Sequence, residues 1–133
     1  GTIVSTKENI EKLKEFEPMW KLSQFDSIYL QNALEDKVFK SISIKINEKN
    51  RIELENILKS STLVEEISTS SANYILVKLK DIKAKEFQER LKPYKIMVRD
   101  CSNFDYLDER FVRIAVKSSS ANESLKRALN HIC

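Results

Sequence analysis

Glycine is almost missing from this chain: one among 133 residues, at position 1. Walker-type and dinucleotide-type phosphate loops need residues without a Cβ, so neither can form here. Thiols and imidazoles are nearly as scarce. Cys101, Cys133 and the lone His131 give no disulfide framework and too few ligands for a tetrahedral zinc site. The expectation is a reducing, cytoplasmic protein without structural metal. No apolar run approaches the roughly 18 residues needed to cross a bilayer, and no charged segment followed by an apolar one opens the chain. Export and membrane insertion are therefore disfavoured. Length allows one core-bearing domain or part of a larger protein, not a two-domain enzyme; the missing initiator Met fits a trimmed or processed chain.

What is present is charge of both signs: 23 Lys+Arg against 20 Asp+Glu, net +3. The densest basic stretch, Lys78 to Lys85, is interrupted by Leu79, Asp81, Ile82 and Ala84. A nucleic-acid footprint needs tighter clustering.

Along the chain, Ser5 to Glu8 has capping-box spacing ahead of a helix over Lys7 to Phe16, which Pro18 ends. Ser23 to Asp26 repeats the spacing before a second helix at about 22 to 35. Ser41 to Ile46 alternates like a strand, but Val38, Ile42, Ile46, Ile57 and Leu58 fit one long helix over 37 to 60, and helix is the reading adopted. From 61 the texture turns to serine and threonine. Tyr74 to Leu79 reads as a strand, Ala84 to Leu91 as a helix, Lys95 to Arg99 and Arg110 to Val116 as strands, and Ser120 to Glu123 caps a final helix to about Ile132. The fold class expected is α/β (α+β): a small three- to four-stranded sheet covered by helices and preceded by a long helical arm. The organisation expected is a linking segment at 1–36, an interdomain-type helix at 37–60 and a small domain at 61–133.

Arg113 is the most informative position. It lies mid-strand, on the face of Phe111 and Ala115 by the period of two. A guanidinium there needs a partner, either an internal acid (Asp100, Asp108 or Glu109) or an anionic ligand that its planar fork can hold. Arg99 ends the strand before. If the two strands are neighbours, both cations converge at one edge and can take a doubly anionic ligand. Cys101, beside Arg99, has no base in view, and His131 fits the end of the last helix better than a catalytic role. Trp20 is expected as a packing anchor, and Tyr74, Tyr94 and Tyr106 as core or rim.

Three segments carry a family resemblance. Ala72-Asn73-Tyr74-Ile75-Leu76-Val77, Ile96-Met97-Val98-Arg99-Asp100 and Phe111-Val112-Arg113-Ile114-Ala115-Val116 follow the order S-x-A-N-[FY]-[IL]-L-V, I-x-V-R-[DP] and [IF]-[IV]-R-[IV]-[AT]-V. The chain thereby resembles the C-terminal small domain of fold-type I pyridoxal-phosphate enzymes of the class I/II aminotransferase family, in its threonine-phosphate decarboxylase and histidinol-phosphate aminotransferase branches. Gly1 to Ser5 looks like the segment after the cofactor lysine, and Glu17 to Ser23 like the P-P-W-x-[VL]-[NS] link into the interdomain helix. The resemblance implies that Arg113 clamps the substrate carboxylate and Arg99 a second anion, the phosphate in the decarboxylase branch. It implies pyridoxal 5'-phosphate in the full-length parent but none in this fragment, with the cofactor's lysine on a large domain of the same chain. It also implies an anionic amino-acid or amino-phosphate substrate, a homodimeric parent, a hinge near Pro18 and Trp20, and no activity in the fragment alone. Asp100 and the 14-residue spacing from 99 to 113 resemble the decarboxylase branch more, while Tyr106 stands where the family often has glycine.

Two other classes compete. Strand, helix, strand, strand, helix over 73 to 132 also suits a ferredoxin-like ligand- or RNA-binding module, although no RNP1-type aromatic strand is present. A helix at 37 to 60 that docks on a partner is the third.

Overall fold

A computed structural model describes residues 3–132. Gly1, Thr2 and Cys133 lie outside them, and with these the first part of the resemblance at Gly1 to Ser5. The chain forms two compact units, Gly1–Lys40 and Ser41–Cys133.

The first unit carries helix α1 (Lys7–Lys14), helix α2 (Gln24–Glu35) and the start of α3 (Phe39–Lys59). Thr6, not Ser5, caps α1, its side chain accepting from the Asn9 amide at 3.4 Å, while Ser5 Oγ accepts from the Asn9 side chain instead. For α2 the expected cap holds: Ser23 Oγ accepts from the Asp26 amide at 3.0 Å. Neither helix buries a residue. Trp20, expected as a packing anchor, is 85% exposed because no apolar layer within the unit covers it.

The second unit holds the core. Only the last part of α3 packs, through Leu54, Ile57 and Leu58 at the i, i+3, i+4 spacing of one helix face. Strands β1 (Val64–Ile67), β2 (Tyr74–Leu79), β3 (Arg99–Asp100) and β4 (Phe111–Ala115) form one antiparallel sheet in the order β1-β2-β4-β3. Helices α4 (Ala84–Leu91) and α5 (Ser119–Ile132) complete it. Strand alternation is clean: Ile75, Val77, Leu79, Val112 and Ile114 point to a core shared with Phe87, Leu91, Leu125, Ala128 and Leu129. The other sheet face carries Tyr74, Leu76, Lys78, Phe111, Arg113 and Arg99.

Several boundaries differ from the sequence reading. β1 was not among the expected strands: two adjacent glutamates break its alternation, and the ladder is irregular between Val64 and Glu66. The strand expected at Lys95 to Arg99 is moved to Arg99–Asp100, because Lys95 takes a left-handed conformation (φ 58°) after a 3-10 turn over Lys92–Tyr94. Ser118 rather than Ser120 caps α5, accepting from the Ala121 amide at 3.4 Å. From β1 onward the order is ββαββα, which departs from the βαββαβ of a ferredoxin-like module.

Candidate functional site: an arginine pair on the open sheet face

The site begins at the loop before β2. Arg51 Nη1, on α3, donates to the Ser70 carbonyl, and Asn47 Nδ2 donates to the Ala72 carbonyl at 3.3 Å. Ser70 Oγ accepts from the Ala72 amide at 3.1 Å and donates to the Tyr74 carbonyl at 2.6 Å. Short hydroxyl side chains close such turns onto their own backbone, so the Ser-Ser-Ala-Asn run delivers Tyr74 to β2 in a fixed register. Val116 N–H then donates to the Asn73 carbonyl at 2.8 Å, locking β4 alongside.

In that register Leu76 faces Arg113 across β2–β4, and Arg99 faces Arg113 across β3–β4. Directly opposite residues share a face, so the two guanidinium-bearing side chains rise from the same side of the sheet. Arg113 is half-buried and its guanidinium carbon lies 4.5 Å from the centre of the Tyr74 ring. Arg99 is exposed, lies 5.7 Å from the Phe104 ring centre and donates from Nη2 to Asn103 Oδ1 at 3.0 Å.

The acids that could have paired Arg113 internally are engaged elsewhere. Asp108 pairs with Arg110 at 3.2 Å, Glu109 pairs with Lys83 at 2.7 Å, and Asp100 Oδ1 accepts from the Ser102 amide at 2.8 Å. Neither Arg99 nor Arg113 forms an ion pair among the described residues. Lys78, on the same face, does: Glu65 holds it at 2.7 Å and takes Arg110 at 2.8 Å, and these cations keep the Glu65 carboxyl below the usual carboxylate range. Cation charge on this face is therefore cancelled at one end and left uncancelled at Arg99 and Arg113.

Cys101 sits next to the pair, 2% exposed, its Sγ 3.6 Å from the Arg99 carbonyl. Burial pushes its thiol up, outweighing the pull of the nearby Arg113 and Arg99. A protonated, covered thiol is no nucleophile. His131 is exposed, with Nδ1 2.7 Å from the Arg127 carbonyl and its ring 6.0 Å from that of Tyr94. Tyr106, at the glycine position of the family pattern, adopts φ 67°.

Two cavities lie away from the pair. One of ≈ 650 Å³ is lined by Asn47, Arg51, Ser71 and Asn73 among others, and one of ≈ 510 Å³ by Lys95, Met97, Lys117 and Asn122 among others. Neither of these two cavities is lined by Arg99 or Arg113. Among the described residues there is no group of three His, Cys, Asp or Glu side chains able to hold a metal ion, and no helix long and apolar enough to cross a membrane. Tyr74 and Phe104 as neighbours of the arginines were not read from the sequence. The signal available was the small Ala115: it faces Tyr74 across β2–β4 and sits two positions beyond Arg113.

No family model matches the chain. A solved histidinol-phosphate aminotransferase from Clostridium acetobutylicum matches with a TM-score of 0.87 at 28% identity, over 95% of this chain and 38% of that one. The fold is that of an aminotransferase domain. Histidinol-phosphate aminotransferase of Methanocaldococcus jannaschii is 33% identical over 132 residues, 99% of this chain and 35% of the relative. Threonine-phosphate decarboxylase of Salmonella typhimurium is 38% identical over 63 residues, 46% of this chain and 16% of the relative. The chain belongs, as a C-terminal fragment, to the family of histidinol-phosphate aminotransferases and threonine-phosphate decarboxylases, and spans 35% of the length of the Methanocaldococcus protein.

Proposed function

We propose that this chain is the substrate-anchoring part of a pyridoxal-phosphate enzyme acting on a phosphorylated amino acid or amine, with Arg113 taking the substrate carboxylate and Arg99 its phosphate. One observation carries the reading: two arginines stand at facing positions of neighbouring strands, on one side of the sheet, with aromatic rings, not acids, against their guanidinium groups. Like charges placed directly opposite destabilise a sheet. A dianion between them would offset that repulsion and gain charge-assisted hydrogen bonds at both ends.

The described residues do not fit the cofactor itself. Lys78, the lysine on this sheet face, is committed to Glu65, and no glycine lies in the sheet or its loops. Pyridoxal phosphate would belong to a large domain of the parent, and the fragment alone would be inactive. The contribution of these residues is to grip both charged ends of the substrate and so fix its rotation in the site, which is where orientation lowers a barrier. The Arg99-Asp100-Cys101-Ser102-Asn103-Phe104 run favours a decarboxylase-like parent over a transaminase. Phe16, Met19, Trp20, Phe25 and Leu34 are between 77% and 95% exposed, which supports a large domain and a second copy of the parent as the surfaces that cover them.

Calorimetric titration of the chain with O-phospho-L-threonine and with L-threonine tests this. Arg113→Gln is expected to weaken binding of both by roughly tenfold to a hundredfold, the loss of charge-assisted hydrogen bonds. Arg99→Gln should abolish the preference for the phosphorylated probe. Unchanged binding in both variants would remove the reading.

A further inference from the structure

We infer that Tyr74 and Phe104 are positioning residues, which hold the two guanidinium groups apart and aimed off the sheet without neutralising them; this rests on the reading of Arg99 and Arg113 as substrate anchors. A carboxylate could fix an arginine equally well, but it would occupy the N–H fork and cancel the charge. A ring face attracts the cation through its quadrupole and leaves the N–H edge free. Arg113 shows the result: ring centre at 4.5 Å, no ion pair, and no hydrogen bond from its guanidinium to any described residue.

The register explains how the ring reaches it. Tyr74 faces Ala115 across β2–β4, and Arg113 is the diagonal neighbour two residues away. Ala115 has only a Cβ, so nothing on β4 stands between the ring and the guanidinium. The loop after β3 does the same for Arg99: Phe104 lies on its guanidinium at 5.7 Å, and Asn103 takes one N–H of five. Both rings are partly open, Tyr74 at 38% and Phe104 at 43%, so neither is a core residue placed there by burial alone. Without the rings, two flexible cations on facing positions would swing away from one another into water. With them, the pair stays at one separation, the condition for telling a substrate with two anionic ends from one with a single end.

The test uses the whole chain with O-phospho-L-threonine and L-threonine as probes. The Nε–Hε signal of Arg113, assigned by its loss in Arg113→Lys, should sit upfield through the ring current in the unaltered chain and in Tyr74→Phe. It should move to the exposed-arginine position in Tyr74→Leu. Tyr74→Leu should bind both probes about threefold to tenfold more weakly, the range a cation–π contact supports, while Tyr74→Phe stays within about twofold. Phe104→Leu should weaken only the phosphorylated probe. Should Tyr74→Leu fail to fold, Tyr74→Met carries the same comparison. A Tyr74→Leu chain that loses the upfield shift yet binds as before overturns the positioning role. Absence of binding by the unaltered chain, or an Arg113→Lys chain that binds normally, overturns the anchor reading instead.

Discussion

At the scale of single residues, backbone conformation explains one departure from the family pattern. Tyr106 occupies a left-handed conformation at φ 67° in the loop between β3 and β4, with its side chain fully exposed. A residue with a Cβ pays about 1 kcal/mol or more there, which glycine avoids. Tyr106→Gly is therefore expected to stabilise the chain by about 1 kcal/mol, raising the thermal midpoint by several degrees. A lowered midpoint would mean that the tyrosine makes a compensating interaction. Lys95 and Asp81 share the left-handed region, at φ 58° and 55°. None of these three positions is a glycine, so the sequence does not announce their left-handed backbone, and the displaced start of β3 follows from Lys95, just past the turn that Pro93 opens.

Elements were legible where periodicity was unambiguous. The long helix was legible although Ser41 to Ile46 alternates like a strand, because the apolar spacing of Val38, Ile42 and Ile46 resumes at Ile57 and Leu58, and α3 runs over Phe39–Lys59. β2, β4, α4 and α5 follow from their patterns within a residue or two. β1 was not legible: four residues, two of them glutamates at an irregular ladder step, give no period to detect. Arg113 was legible as a cation on a strand, and Arg99 as its partner on the condition that the two strands are neighbours; that adjacency and register are tertiary facts, which the β3–β4 pairing supplies. Asn122 is another residue only the tertiary structure explains. It is 2% exposed on α5, and its amide donates to the Asn50 carbonyl at 3.0 Å and to Glu53 Oε2 at 3.1 Å, tying α5 to α3. Asn122→Ala strands both acceptors and should cost about 1–3 kcal/mol. Asn122→Asp, which sets a carboxylate against Glu53, should cost more. Urea unfolding midpoints check both; an unchanged midpoint in Asn122→Ala would show that the tie contributes nothing.

For the whole molecule, stability is concentrated. Every fully buried large side chain, from Leu54 to Val112, belongs to the second unit. Phe87 is the largest of them, completely covered among Leu91, Val77 and their neighbours. Phe87→Ala should cost about 3–5 kcal/mol, a large share of the roughly 5–15 kcal/mol that holds a domain folded. Chemical denaturation should show it as a lowered midpoint with unchanged slope. Arg99 and Arg113 sit outside this core, on the face it does not use, so their substitution is expected to lower the unfolding midpoint far less than Phe87→Ala does.

The sheet's two rims bear on a different fate. β1 is four residues long, carries two acidic side chains and has a broken ladder step, while β3 is only two residues long. Neither rim presents a long, flat row of main-chain donors and acceptors on which a further strand could template itself. With apolar side chains uncovered elsewhere, self-association of the folded chain is therefore expected to run through those side-chain surfaces rather than by strand addition at the sheet's rims.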